Sequence, residues 1–254
     1  MELLVGHSPQ YVVYTNIIKC MEYSGQKLLH GSVGFRRDDP IHTAALTKEQ
    51  FLKIFQVQHY VVLESEDLPT RHRGTRPSSY RTINPPANWK VRTYYLLVDP
   101  DEVQNFANTP GQLVEAIDKL GIPSRRRKDH DRELIIIVRD ANDTYINNTI
   151  ASLQQPAMLQ NGQPEGGLHT LFNSYEYFTG CPRPEHVSVP KHRLLSPEEE
   201  HHVTVELGLQ KVQMAKLRRN EAMVVWLGAE PDQIVLIDKK DETVLMRPDY
   251  RVVM

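Results

Sequence analysis

Histidine and glutamate can bind metals or transfer protons, and both are concentrated in residues 189–202, VPKHRLLSPEEEHH. His201 and His202 are adjacent, so on a helix their side chains would point about 100° apart and could not bind one ion together. Ser196 followed by Pro197 and three glutamates has the pattern of a helix N-terminus. The stretch therefore predicts the start of a helix rather than a metal or catalytic site.

The other residues that could bind metals or act as nucleophiles are spread along the chain. Cys20 and Cys181 lie far apart without a CxxC pair, and the histidines show no metal-ligand spacing. The motifs GxGxxG, GxxxxGK, GxSxG and HExxH do not occur. We therefore predict no catalytic residue, no metal, no cofactor and no small-molecule substrate, in a protein of a reducing, intracellular compartment.

One local feature could bind a polyanion. Residues 71–92 contain six cations and no acid, interleaved with Tyr80 and Trp89, although the net charge of the whole chain is −2. DNA phosphates and an acidic partner subunit fit this segment equally, and a solvated loop is the alternative. The candidate nucleic-acid-binding residues are Arg71, Arg73, Arg76, Arg81, Lys90 and Arg92.

Helices and strands alternate up to about residue 175, which is typical of an α/β layer arrangement. The second helix should begin with a capping box formed by Thr47 and Gln50. The run LIIIV predicts a strand covered on both faces. The predicted helices lie within residues 11–25, 44–55, 99–107, 109–123 and 142–153, and the predicted strands are residues 60–64, 92–98, 132–140 and 169–178.

The last 65 or so residues have a different organisation. A proline-rich linker at residues 181–192 precedes a helix from Pro197, a stretch at residues 217–228, and short strands at residues 233–237 and 249–253. We predict two domains, residues 1–186 (α/β) and residues 187–254 (a small α+β module). No run approaches the roughly 20 apolar residues that span a bilayer, so no membrane partner is expected.

Residues 189–254 resemble the C-terminal assembly domain of the fifth-largest subunit shared by the eukaryotic nuclear RNA polymerases, and are similar to the H polypeptide of archaeal RNA polymerase. The resemblance rests on an ordered set of motifs: a Val-Pro-basic-His entry, Leu-Ser before an acidic helix, a Leu-Gly corner, a Val-Val-type strand, a Glu-Thr turn and a final Tyr-Arg. These are Val189 to His192, Leu195, Ser196 and Glu199, Leu227 and Gly228, Ile234 to Ile237, Glu242 and Thr243, and Tyr250 and Arg251.

Several positions depart from the family pattern. Alanine replaces proline at Ala215 and Ala222, aspartate replaces glycine at Asp232, and Leu245 and Met246 replace Gly-Arg. The chain is therefore a divergent member, and the concentration of departures in this module favours a paralogue committed to one nuclear polymerase, with RNA polymerase I as the first candidate.

The N-terminal part is similar to the family's jaw domain in the order of its elements, which implies a restriction-endonuclease-like α/β fold. Nucleases of this fold need two metal-binding carboxylates and a lysine two residues after the second of them. Asp99, Glu102 and Glu133 could supply acids, but Leu134 and Ile135 follow Glu133, so the lysine is missing. We expect no nuclease activity.

The resemblance implies a non-catalytic subunit of a DNA-directed RNA polymerase in the nucleus, and in the nucleolus for polymerase I. Its C-terminal module would dock on the largest subunit, and its jaw would project toward downstream DNA. An endonuclease-like enzyme and a free-standing interaction protein are the alternatives. The candidate partner-binding residues are Pro190, His192, Gln213, Leu217, Leu227, Gly228, Glu242, Thr243, Leu245, Met246, Tyr250 and Arg251.

Overall fold

The computed structural model describes residues 8–33, 41–69, 71, 90–99, 130–139, 169–179, 184–239 and 247–254. The chain divides into two compact units. The N-terminal unit comprises Met1–Glu22, Gln26–Leu68 and Pro77–Thr179. The C-terminal unit comprises Tyr23–Gly25, Pro69–Arg76 and Gly180–Met254. The three helices predicted between residues 99 and 153 lie outside the described residues.

The N-terminal unit is built on a five-stranded mixed sheet of order β1-β2-β3-β4-β5. The pairs β1–β2 and β2–β3 are antiparallel, whereas β3–β4 and β4–β5 are parallel. The elements are α1 (Pro9–Tyr23), β1 (Gln26–His30), α2 (Lys48–Gln58), β2 (Tyr60–Asp67), β3 (Lys90–Val98), β4 (His130–Val138), β5 (His169–Ser174) and α3 (Glu176–Thr179).

The central strands carry the core of this unit. All five apolar residues of β4, Leu134 to Val138, are buried, which confirms the prediction that this strand is covered on both faces. Helix α1 buries Val13, Ile17 and Met21 at helical spacing. Helix α2 begins with the predicted Thr47–Gln50 capping box and buries only Phe51 and Phe55.

Several elements differ from the sequence-based expectations, and three of the differences concern strands of the N-terminal unit. Strand β1 was not predicted, because Gln26–His30 has no β-branched residue and is a strand through its pairing with β2. Strand β3 begins at Lys90 rather than Arg92, since its first residues also pair with β4. The strand predicted over residues 169–178 ends at Ser174, whose hydroxyl accepts a hydrogen bond from the Glu176 N–H at the start of α3.

The C-terminal unit contains a four-stranded sheet of order β6-β8-β9-β7, in which only the β7–β9 pair is parallel. Its elements are β6 (Lys191–Leu194), α4 (Pro197–His201), a π-helical segment (His202–Glu206), β7 (Ala215–Leu217), α5 (Ala222–Leu227), β8 (Ile234–Lys239) and β9 (Arg247–Val253). Strands β6 and β7 were not predicted, because each is only three or four residues long and depends on its neighbour in the sheet.

Both faces of this second sheet are covered. Along β8, Val235 and Ile237 pack in the cluster that includes Val224 and Leu227 of α5. Ile234 and Leu236 point to the opposite cluster, which contains residues of the segment after β6. This alternation explains why the apolar run of β8 has no polar face.

The mixed sheets with flanking helices confirm a combination of helix and strand in both units. Within the described part of the chain, no helix has both the length and the apolar character of a bilayer span.

Candidate partner-binding and nucleic-acid-binding sites

The histidine-rich stretch is the start of a helix, as predicted. The Ser196 hydroxyl accepts a hydrogen bond from the Glu199 N–H at 3.2 Å, and the Glu199 carboxylate accepts one from the Ser196 N–H at 2.9 Å. This reciprocal capping box satisfies two backbone donors that the helix leaves without partners. Arg193 of β6 donates to the same carboxylate at 2.8 Å. Among the residues the structure describes, no group of His, Cys, Asp and Glu could hold a metal ion.

Two predicted partner-binding residues, Pro190 and His192, lie at the entry of β6. The His192 Nδ1–H donates to the Pro190 carbonyl at 2.7 Å, which fixes the ring. The His192 carbonyl in turn accepts a hydrogen bond from the Tyr23 hydroxyl at 2.8 Å. Burial lowers the pKa of His192 below its usual value, an effect that the Pro190 hydrogen bond partly opposes and that nearby Arg251 reinforces.

The predicted Leu-Gly corner is the C-terminal end of α5. Gly228 adopts the left-handed conformation with a φ of 57°, and its N–H is bonded to the last turn of the helix. Leu227 is buried in the core and Gly228 is half-buried. The helix forms although Ala222 stands where the family has proline, and the Glu221 carboxylate accepts a hydrogen bond from the Arg218 N–H just before it.

The final Tyr-Arg motif lies on β9. Asp249 accepts charge-assisted hydrogen bonds from Lys239 at 2.6 Å and from Arg251 at 3.0 Å. Burial tends to raise the pKa of Asp249, but the two cations prevail and lower it. Tyr250 packs beside the apolar cluster on the other face of the sheet.

The remaining predicted partner-binding residues have different environments. Leu217 is buried in the core, whereas Gln213 is exposed in a turn where its side-chain oxygen accepts a hydrogen bond from the Gln210 N–H at 3.2 Å. Leu217 and Leu227 therefore hold the module together from inside. Four of the predicted residues lie outside the described part of the chain: Glu242, Thr243, Leu245 and Met246.

The basic segment is partly neutralised by acids of the neighbouring strand. Lys90 forms an ion pair with Glu66 at 2.7 Å, and the Arg92 guanidinium donates to the Glu64 carboxylate at 3.0 Å. Sequence analysis missed these counterions, because Glu64 and Glu66 precede the segment in β2 and face it only through the β2–β3 pairing. Arg73, Arg76 and Arg81 lie outside the described residues.

Glu64 is the centre of this polar cluster and is almost fully buried. Besides Arg92, its carboxylate accepts a hydrogen bond from the Tyr94 hydroxyl at 3.2 Å and lies 3.6 Å from His30. Burial, with the negative charge of Glu64, raises the pKa of Tyr94 to about 12. The cluster therefore keeps Arg92 bound within the protein.

Arg71 contacts a hydroxyl group, whereas Lys90 and Arg92 form ion pairs with acids. The Arg71 guanidinium donates to the Ser24 hydroxyl at 3.3 Å, and its Nη2 atom lies beside Gly228, within the C-terminal unit. No sequence pattern indicated this contact, because Arg71, Ser24 and Gly228 are far apart along the chain.

Of the acids that could serve a nuclease, the two that the structure describes, Glu133 and Asp99, are not brought together. Glu133 is buried, where it accepts a hydrogen bond from the Thr93 hydroxyl at 3.3 Å and lies 3.0 Å from His169 Nδ1. Thr93 is its neighbour in β3, whereas Asp99 follows the end of that strand. At about 3.3 Å per residue the two acids are about 20 Å apart along the strand, too far to share one metal ion. Glu102 lies outside the described residues.

Residues 184–253 match the family described as RNA polymerase Rpb5, C-terminal domain. The chain is 36% identical over 70 residues to the DNA-directed RNA polymerase subunit Rpo5 of Archaeoglobus fulgidus, which is 28% of this chain and 92% of that protein. It is 33% identical over 70 residues to Rpo5 of Thermococcus kodakarensis, covering 28% of this chain and 85% of that protein.

A longer similarity is found with a viral protein. The DNA-directed RNA polymerase RPB5 homolog of African swine fever virus is 27% identical over 119 residues, which is 46% of this chain and 54% of that protein. The chain belongs to the Rpb5 family of DNA-directed RNA polymerase subunits.

Proposed function

We propose that this chain is a non-catalytic polymerase subunit whose C-terminal unit docks on the largest subunit. The observation that carries the proposal is the match over residues 184–253 to relatives that consist almost entirely of this module. The compact sheet, buried on both faces, is a rigid body on which outward-facing residues can be presented. Among the described members of the predicted set, Gln213 is exposed, and the half-buried ones are Pro190, His192, Gly228, Tyr250 and Arg251.

The N-terminal unit would serve as the jaw that projects toward downstream DNA. Its mixed sheet with parallel β3, β4 and β5 is compatible with the endonuclease-like topology that the resemblance implies. The burial of Glu133 and its separation from Asp99 support a jaw without catalysis. We place the two domains at residues 1–186 and 187–254. The main part of the C-terminal unit begins at Gly180.

Assignment to RNA polymerase I, with residence in the nucleus and nucleolus of a eukaryotic cell, rests on the departures from the family pattern. Ala215 opens the edge strand β7, and Asp232 has a φ of 75°, a conformation that glycine adopts without strain. Such replacements in the module that meets the largest subunit favour a chain adapted to one polymerase.

Affinity purification of the tagged full-length chain followed by mass spectrometry tests this function. We expect the largest subunit of one polymerase, together with other polymerase subunits, and the identity of that largest subunit decides the assignment. Arg251→Ala should reduce the recovery, whereas Arg218→Ala, at an exposed cation outside the predicted set, is the matched control. Recovery of other proteins without polymerase subunits would favour the free-standing interaction protein instead.

A further inference from the structure

We infer that Arg71 is a positioning residue of the C-terminal unit, which holds the Gly228 corner against the segment Tyr23–Gly25, and that it is not a phosphate contact. This goes beyond the docking function proposed above, since it assigns a role to a residue outside the family module. The residues concerned all belong to the C-terminal unit, although they come from three separate parts of the sequence.

Two glycines lie next to the Arg71 side chain. A Cβ atom added to Gly228 would lie 2.5 Å from the Arg71 Nη2 atom, and one added to Gly25 would lie 3.4 Å from the Arg71 Cβ atom. Both glycines have positive φ angles, 57° and 77°, which glycine adopts at no steric cost. Gly228 therefore leaves the space that the Arg71 guanidinium occupies, and at both corners the positive φ favours glycine.

The chemistry of the contact suits an arginine. Carbonyl groups at the C-terminal ends of α1 and α5 carry partial negative charge, and Tyr23 and Leu227 are the last residues of these helices. The guanidinium group offers several donors in one plane, of which Nη1 reaches the Ser24 hydroxyl at 3.3 Å. The Arg71 guanidinium therefore binds the Ser24 hydroxyl directly and lies beside Gly228, the residue that follows the end of α5.

Tyr23 makes an independent contact on the same segment. Its hydroxyl donates to the His192 carbonyl at 2.8 Å, and its ring meets Trp226 edge-on with centroids 6.5 Å apart. His192 and Gly228 are both predicted docking residues. The segment Tyr23–Gly25 and Arg71 therefore fix the backbone at two places where the module is expected to meet its partner.

A double-mutant cycle in the full-length chain tests the contact. Arg71→Ala and Gly228→Ala remove the same interaction, so the double variant should lose less thermal stability than the sum of the two single losses. Gly208→Ala is the matched control, because Gly208 has a similar φ of 68° but nothing within 4 Å of the added Cβ atom. With Gly208→Ala the melting-temperature shifts should add.

Additive shifts at Gly228 as well as at Gly208 would overturn the inference. If Gly228→Ala fails to fold, a cycle of Arg71→Ala with Ser24→Ala tests the same contact without backbone strain, and additivity there would count equally against it. Neither mutant cycle involves the polymerase. A negative result for the Arg71 contact can therefore be distinguished from a negative result for the proposed docking.

Two further measurements separate positioning from phosphate binding and from general stability. Arg71→Ala should lower polymerase recovery severalfold at a temperature where its circular dichroism equals that of the wild type, and unchanged recovery would overturn the positioning role. The salt slope of duplex-DNA binding should be the same for both proteins. A slope reduced by about 0.9 would show instead that Arg71 neutralises a phosphate.

Discussion

His192 combines two properties at the scale of a single residue: it is a predicted docking residue, and its ring is part of the internal hydrogen bonding of the C-terminal unit. The His192 ring donates a hydrogen bond to the Pro190 carbonyl, and the His192 carbonyl accepts one from the Tyr23 hydroxyl. Burial lowers the pKa of the ring. The neutral form is therefore favoured in the folded protein more than in the unfolded chain, and stability becomes linked to pH at this position.

The sign of that linkage is fixed by the lowered pKa. The unfolded chain binds a proton at His192 near the ordinary value of about 6.5, whereas the folded chain binds it only at lower pH. The stabilising contribution is fully present above about pH 6.5 and is lost as the pH falls through the folded pKa. His192→Asn, which keeps an N–H donor for Pro190, should therefore lose less unfolding free energy than the wild type on acidification.

Urea titrations of both full-length proteins between about pH 7.5 and about pH 5 measure this difference directly. The two proteins differ only at residue 192, so the contributions of all other groups cancel in the comparison. Equal pH dependence of the two unfolding free energies would show that His192 is not the linked group.

Sequence reasoning at the residue scale succeeded where the interaction is local. The Ser196–Glu199 and Thr47–Gln50 boxes each join residues three positions apart, and both form as predicted. It missed Glu64 as the partner of Arg92, because that pair exists only through strand pairing. The sequence shows where the ionisable residues are, but it does not show which of them become ion-pair partners across a sheet.

At the scale of an element, the start of α4 also depends on an interaction between residues close in the sequence. Ser196→Ala removes the side-chain acceptor of the capping box and should cost about 1 kcal/mol of unfolding free energy. Denaturant titration of the full-length chain measures it. Ser188→Ala, at an exposed position in the preceding turn, is the control and should change stability by less than about 0.5 kcal/mol. An equal loss in both variants would mean that the box contributes nothing specific.

The strands that are easiest to predict are those with apolar runs. The runs of β2, β3, β4 and β8 are recognisable because their residues are β-branched or aromatic and buried. Strand β1 contains a buried Gln26, whose amide donates to Thr93 and whose oxygen accepts from Tyr95. A buried glutamine lowers the strand signal in the sequence. Its hydrogen-bond partners lie on β3, and the sequence does not show that they are neighbours.

Charge is distributed unevenly at the scale of the whole molecule. The net charge of −2 gives no general affinity for nucleic acid, so DNA binding would need a local basic patch, for which residues 71–92 are the candidate. Lys90 and Arg92 are ion-paired with Glu66 and Glu64, and Arg71 contacts Ser24. Phosphate contact within this segment is therefore expected from Arg73, Arg76 and Arg81.

This division of the basic segment predicts how salt affects binding of duplex DNA by the full-length protein. Replacing Arg73, Arg76 and Arg81 together with alanine should reduce the magnitude of the slope of log Kobs against log salt by about 0.9 for each phosphate that is no longer neutralised. The double variant Lys90→Ala and Arg92→Ala is the matched control, and it should leave the slope unchanged because both cations are already neutralised within the sheet. A reduced slope in the control variant would mean that the ion pairs with Glu64 and Glu66 open on binding, since a cation can release counterions from DNA only when it reaches a phosphate.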